Sequence, residues 1–191
     1  MKILYVTDSF PPESIGGAGQ AVLDLARGVQ DRGHHVCVVT VTQDRARAGA
    51  DMFQGLPVVR LYFRYSTKFL RSYLAMYNPF IRRRRLGVFA RERPDIVHFH
   101  NVHGFISFAA LKWAKRSGAR VFFTAHDAMS FGYTRLYHFI DPGDPTCRKN
   151  YDYRLSWQFL LKEHRQAFNP FRNIVIRLYL NRYTDGIFAV S

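Results

Sequence analysis

The sequence predicts an α/β domain, a parallel sheet with helices on both faces. Short apolar runs rich in Val, Ile and Phe recur along the 191 residues, each ending in polar or Gly/Pro residues. Buried parallel strands have this form. Segments of helical periodicity separate the runs, and strand–helix alternation selects a parallel sheet with crossover helices. The chain is 48% hydrophobic and 22% charged, a globular composition, and its length suits one well-packed domain better than two.

Lys2–Thr7 reads as the first strand. Pro11-Pro12 and then Gly16, Gly17 and Gly19 form a loop. From Ala18 to about Arg32, Val22, Leu25, Ala26 and Val29 follow helical spacing, and Gly33 is a natural stop. Val36–Val41 is the second strand and Val58–Phe63, just after Pro57, the third. A long basic segment from about Thr67 to Arg93 is broken near Pro79. Asp95–His100 is the fourth strand, Phe105–Lys115 a helix and Arg120–Thr124 the fifth strand. Tyr153–Phe168 and Ile174–Tyr183 read as helices separated by Asn169-Pro170, and Gly186–Val190 as a sixth strand. No internal repeat or low-complexity linker interrupts the pattern.

Charge narrows the partners. Lys and Arg total 28 against 14 Asp and Glu, a formal charge of +14. Such an excess implies an anionic partner: nucleic acid, anionic lipid headgroups or a phosphorylated substrate. The amino terminus meets Asp8 too early for a secretory signal. No apolar stretch reaches the roughly 18–20 residues that span a bilayer. Cys37 and Cys147 are the only cysteines. Cys37 sits in an apolar strand pattern, and without a disulfide framework a reducing cytoplasm is the expected compartment.

In parallel sheets ligands bind beyond the carboxyl ends of the strands. That rule selects Thr7–Gly19, His98–Gly104 and Thr124–Tyr133. Gly16-Gly17-Ala18-Gly19 precedes the first helix, where free amides and the helix dipole suit a diphosphate; the alternative is a plain flexible turn. The dinucleotide fingerprint fails at Val22, and the loop from Asp8 to Ile15 is too long for it, which disfavours nicotinamide and flavin. His98 and His100 point to one side of the fourth strand. With His103 they suggest either a metal site, which needs three or four converging ligands, or polar residues lining a cleft. His98 can equally satisfy a buried hydrogen bond. His126 and Asp127 end the fifth strand, as cleft residues or as a structural polar pair; being adjacent in an extended chain, they point apart.

These features, in this order, resemble family 4 glycosyltransferases. The residues that carry the resemblance are Pro11-Pro12, Gly16-Gly17-Ala18-Gly19 with its helix, Arg32-Gly33-His34-His35-Val36, Asp95-Ile96-Val97-His98-Phe99-His100, Thr124-Ala125-His126-Asp127 and Phe188-Ala189-Val190-Ser191. The resemblance spans essentially the whole chain. It implies that residues 1–191 are the N-terminal, acceptor-side Rossmann-like domain of a two-domain, retaining enzyme of the GT-B fold. The nucleotide-sugar-binding half, which usually supplies a pair of glutamates, is then absent from this chain, lying in cis or on a partner, and this chain alone is expected to be inactive. The resemblance also implies that Gly16 and Gly17 approach the donor diphosphate, that His126 lies beside the transferred sugar, and that His100, Asn101 and Asp127 line the cleft. The nucleotide sugar is a substrate; no cofactor and no metal are expected.

From Arg60 to Arg93 ten Lys or Arg residues face one acid, Glu92, and Arg82-Arg83-Arg84-Arg85 is the densest run. Phe69, Leu70, Tyr73, Leu74 and Tyr77 form one helical face beside it. An interfacial helix on an anionic membrane has this pattern, as does a core-facing helix with a solvated arginine face. The resemblance implies a sugar or a lipid-linked acceptor, and several members of the family glycosylate lipid-linked acceptors at the inner face of a membrane, which agrees with the first pattern. Arg148–Arg182 adds a second basic stretch interleaved with Trp157, Phe159, Phe168 and Phe171, but no nucleic-acid module matches. The alternative function is a non-catalytic membrane- or polyanion-binding α/β domain.

Overall fold

The computed structural model describes residues 1–13, 16–64, 70–134 and 156–190, with the side chains of residues 82–86 and 166 outside the description. The apolar runs form β1 (Lys2–Val6), β2 (His35–Thr42), β4 (Leu56–Tyr62), β5 (Ile96–Phe99), β6 (Arg120–Ala125) and β7 (Gly186–Ala189), with β3 (Gly49–Phe53) between β2 and β4. Between them lie α1 (Gly17–Gln30), α2 (Arg71–Met76), α3 (Pro79–Glu92), α4 (Ala109–Arg116), α5 (Trp157–His164) and α6 (Arg172–Tyr183). The strands join in one sheet of order β3-β4-β2-β1-β5-β6-β7.

The α/β class expected from the alternation is the class observed, with one correction: the sheet is mixed. All neighbours pair in parallel except β3, which runs antiparallel to β4. Gln54 (φ 51°) and Gly55 (φ 83°) make the turn, and two positive φ values suit the twist of a tight hairpin. β3 is an edge strand, almost wholly exposed. It therefore lacks the apolar pattern that announces the other strands.

The central strands are apolar on both faces because each face has its own core. On one side Ile3, Tyr5, Val36, Val38 and Val58 pack against Val22, Leu23 and Ala26 of α1. On the other Leu4, Val6, Val39, Val97 and Val121 meet Phe89 of α3, Leu111 of α4 and Ile176 of α6. Cys37 belongs to this second core, and burial pushes its thiol up to about 11.

The segment after β5 starts its helix at Ala109 rather than Phe105, because Ser107 adopts φ 79° and the preceding residues turn back toward β1. The break near Pro79 is real. Asn78 caps α3, its side chain accepting from Phe80 N at 3.1 Å, with Pro79 in the first turn. Asn78 is fully buried, and its Nδ2 donates to Phe105 O at 2.6 Å, tying this junction to the loop after β5. α5 is shorter than expected: it begins beyond Ser156, whose Oγ accepts from Phe159 N, while Tyr153 lies outside the described residues. β7 is fastened at its start by Asp185, which accepts from Val121 N at 2.7 Å and from Lys115 Nζ at 2.5 and 2.7 Å.

β2 and β4 are added on one side of β1, and β5, β6 and β7 on the other. The direction of winding thus reverses between β1 and β5. At such a switch point the loops beyond the carboxyl ends diverge and leave a crevice for ligands.

Candidate functional site

The residues just beyond β1, β5 and β6 meet at that switch point. His100 Nδ1 and His126 Nε2 share a hydrogen bond of 2.8 Å, and their rings stack with centroids 5.1 Å apart. His98 packs against His100 with centroids 4.4 Å apart, and its Nε2 pairs with Thr124 Oγ1 at 2.8 Å. His98 thus takes a structural, partly buried hydrogen-bonding role, whereas His100 and His126 form a pair that sequence reasoning did not foresee. His100 is fully buried and its Nε2 bonds nothing among the described residues. His126 is half-buried, and its Nδ1 bonds no described residue, which leaves that atom to meet a ligand.

Burial sets the charge of this cluster. Desolvation, then the neighbouring His98 and His126, brings His100 down to about 2, and desolvation with His126 brings His98 down to about 4. His126 is also lowered by burial, against an opposing pull from Asp127. Near neutral pH the cluster is uncharged and acts through hydrogen bonds.

Asp127 points away from His126, as adjacent residues in an extended chain should. Its Oδ1 accepts from Met129 N at 3.0 Å, capping the short turn Ala128–Ser130. Its Oδ2 accepts from Asn101 Nδ2 at 3.3 Å and lies 3.9 Å from His103 Nε2. Asn101 and His103 are therefore joined to Asp127, the residue that follows His126 in the chain.

Asp8 is a residue that the sequence reading passed over. Its buried carboxylate accepts from the amides of Gly104 (2.5 Å), Phe105 (3.1 Å) and Ile106 (2.6 Å). Its own amide donates to Asn101 O at 2.7 Å. A single side chain thus clamps the His98–Gly104 loop to the end of β1. The available signal was an acid immediately after a buried strand.

Gly16 stands at the N-cap of α1 in extended conformation, with no side-chain cap and no acid in the first turn. The first amides of the helix are thereby left for an anion. A Cβ on Gly17 would meet nothing within 4 Å, whereas one on Gly19 would lie 3.1 Å from Ser9 O. Packing therefore demands glycine at 19 and not at 17. The preceding turn, with a cis Pro11–Pro12 peptide, is held by Arg60 from β4. Arg60 is 2% exposed; its Nη2 donates to Pro11 O at 3.0 Å, its Nε to Asp51 at 3.0 Å, and its Nη1 lies 3.6 Å from Glu13.

Arg82, Arg83, Arg84 and Arg85 run within α3, but their side chains lie outside the described residues. The apolar face expected beside them is divided. Leu74 packs against the core, while Leu70, Tyr73 and Tyr77 are exposed; Phe69 lies outside the described residues. Two large concavities, of about 1020 and 1040 Å³, open at the opposite, amino-terminal edge of the sheet and contain none of Gly16, Gly17, His100, Asn101, His126 or Asp127. Among the described residues no group of three or more His, Cys, Asp or Glu is placed to hold a metal ion, and no helix is long and apolar enough to cross a membrane.

Residues 16–184 match the family described as glycosyl transferase 4-like domain. The GDP-mannose:cellobiosyl-diphosphopolyprenol alpha-mannosyltransferase of Komagataeibacter xylinus is 31% identical over 118 residues, 59% of this chain and 27% of that protein. A component of the phosphatidylinositol N-acetylglucosaminyltransferase of Homo sapiens is 28% identical over 134 residues, 68% of this chain and 26% of that protein. This chain thus spans about a quarter of the length of these two relatives. Among solved structures, one from E. coli described as trehalose-6-phosphate bound with UDP-2-fluoro glucose is similar at 13% identity and a TM-score of 0.37, covering 66% of this chain and 33% of that one.

Proposed function

The chain belongs to the glycosyl transferase 4-like domain family, and from that premise we propose that it is the acceptor-side domain of a retaining glycosyltransferase. The observation that carries this reading is the His100–His126 pair, set beyond β5 and β6 on the same sheet edge as the uncapped amino end of α1. A donor diphosphate lies against the amides of Gly16 and Gly17, whose backbone admits close approach. His126 offers Nδ1 to a hydroxyl of the transferred sugar, and His100 fixes the tilt of its ring. Asn101 and Asp127 hold the flanking loops in register.

Neither histidine is a strong base at neutral pH, because burial lowers the affinity of both for protons. The acceptor hydroxyl therefore gives its proton to an oxygen of the departing diphosphate on the face it attacks, and configuration is kept. The nucleotide is gripped by a second domain, in the same polypeptide or on a partner. The quarter-length coverage of the relatives supports this division. Those relatives are named for a diphosphopolyprenol-linked and a phosphatidylinositol acceptor, and we assign this chain an acceptor of the same phosphate-bearing lipid class. The exposed Leu70, Tyr73 and Tyr77, with Arg71 beside them, support docking on an anionic, cytoplasm-facing membrane surface.

The test is His126→Ala in the enzyme assembled with its donor-binding domain. Turnover is expected to fall about 100-fold or more, with the thermal midpoint preserved; unchanged turnover sinks the assignment. The same exposed apolar residues favour one other reading, a non-catalytic membrane-binding domain. Vesicle binding that survives His126→Ala, with no transfer when the donor domain is supplied, is its signature.

A further inference from the structure

α2, the turn after β6, α5 and the start of α6 line a cavity of about 240 Å³. Arg71, Ser72, Tyr133, His164 and Arg172 contribute to its lining, and no acid is among the described lining residues. Arg172 is 1% exposed; Nη1 donates to Gly132 O at 2.6 Å and to Asn173 Oδ1 at 2.8 Å, and Nη2 to Met129 O at 2.6 Å. Its guanidinium carbon lies 4.9 Å from the centre of the Tyr133 ring, which stacks on His164 at 4.8 Å. These contacts lock the guanidinium in one orientation. Ser72 is 4% exposed, and its Oγ has no hydrogen-bond partner among the described residues. A buried hydroxyl left bare at a cavity wall calls for a partner inside the cavity.

We propose that this cavity binds a phosphate group of the acceptor, monoester or diphosphate, with Ser72 Oγ and the Arg71 guanidinium as donors and the buried positive charge of Arg172 behind them. Size, charge and donor type agree. The volume falls below the roughly 300–1,000 Å³ of pockets that enclose whole ligands and suits a headgroup. Planar guanidinium forks match phosphate oxygens, and a hydroxyl supplies a further donor. The cavity is also wired to the proposed reaction centre: Met129, whose carbonyl accepts from Arg172, donates its amide to Asp127, the neighbour of His126. A phosphate seated here places the rest of the acceptor beside the sugar-transfer cleft.

The inference rests on the acceptor-side reading, but its test does not use a sugar nucleotide. Inorganic pyrophosphate is titrated calorimetrically into the protein, into Ser72→Ala and Arg71→Gln, and into Arg116→Gln at the far edge of the sheet, all at one ionic strength. The wild type and Arg116→Gln are expected to bind alike, and Ser72→Ala and Arg71→Gln to bind about tenfold more weakly. Ser72→Ala removes one oxygen and keeps the fold, which its thermal midpoint checks. Neutral vesicles doped with a diphosphate-bearing lipid form the second arm. Parallel loss of vesicle binding assigns the phosphate to a lipid headgroup, and retained vesicle binding assigns it to a soluble phosphorylated acceptor. No binding by the wild type, or equal binding by all four proteins, overturns the site. A cavity that fails leaves the sugar-transfer reading standing, because His126→Ala tests that separately.

Discussion

The 2.8 Å bond between His100 Nδ1 and His126 Nε2 makes a fully buried ring the support of a half-buried one. His100 is a positioning residue on this geometry. His100→Phe is expected to cut turnover about tenfold by freeing His126. His100→Asn keeps a polar atom near the Nδ1 position and should restore most of the loss. Equal impairment in both variants means that His100 acts only as packing. Steady-state transfer assays with the donor domain present decide between them.

The depressed histidines make the fold sensitive to acid. On unfolding, His98 and His100 return toward 6.5 from about 4 and about 2, so below pH 6.5 the unfolded chain binds protons that the folded chain refuses. Their contribution to stability is complete above pH 6.5 and is lost as the pH falls, toward 4 for His98 and further for His100. Each such group contributes a slope of up to about 1.4 kcal/mol per pH unit in its window. His98→Gln should remove one share of that slope between about pH 4.5 and 6. Urea midpoints measured across that range give the slope directly.

Asp8→Ala leaves the amides of Gly104, Phe105 and Ile106 without their acceptor. The expected cost is about 3 kcal/mol, read from urea unfolding. Hydrogen exchange at Gly104 and Ile106 should accelerate together in this variant. Asp8→Asn, with one accepting oxygen, should recover part of the stability.

Two glycines in the first turn of α1 are expected to respond with opposite signs. Gly19→Ala brings a Cβ to 3.1 Å from Ser9 O and 3.6 Å from Phe10 Cα, and should destabilise by about 1 kcal/mol. Gly17→Ala meets nothing within 4 Å in a helical position and should stabilise by about 0.5–1 kcal/mol. Thermal midpoints separate the two.

The strands at the centre of the sheet were legible because both their faces are buried, as the apolar run Val36–Val41 shows, and the edge strand β7 was legible from its apolar run although Ile187 and Phe188 are exposed. β3 was not legible, since Gly49–Phe53 is exposed and takes its pairing from the Gln54–Gly55 turn. The break at Pro79 was legible through its chemistry, and the start of α4 was not, because Phe105 is apolar enough for a helix and only the Asp8 carboxylate holds its amide elsewhere. Of the candidate site, Gly16, Gly17, His100, Asn101, His126 and Asp127 could each be picked from their places after strands.

The sequence by itself determined the α/β class, the sheet edge that bears the site and most of the residue types found there, because periodicity and strand-end chemistry are local properties. Tertiary structure alone decided which of them touch. The His100–His126 bond, the Asp8 clamp on Gly104–Ile106, the Arg60 hold on Pro11 and the cavity behind Arg172 join residues between 26 and 101 positions apart on the chain. Burial, which neutralises the histidines, is likewise a property of the packed neighbourhood, and no stretch of sequence states it.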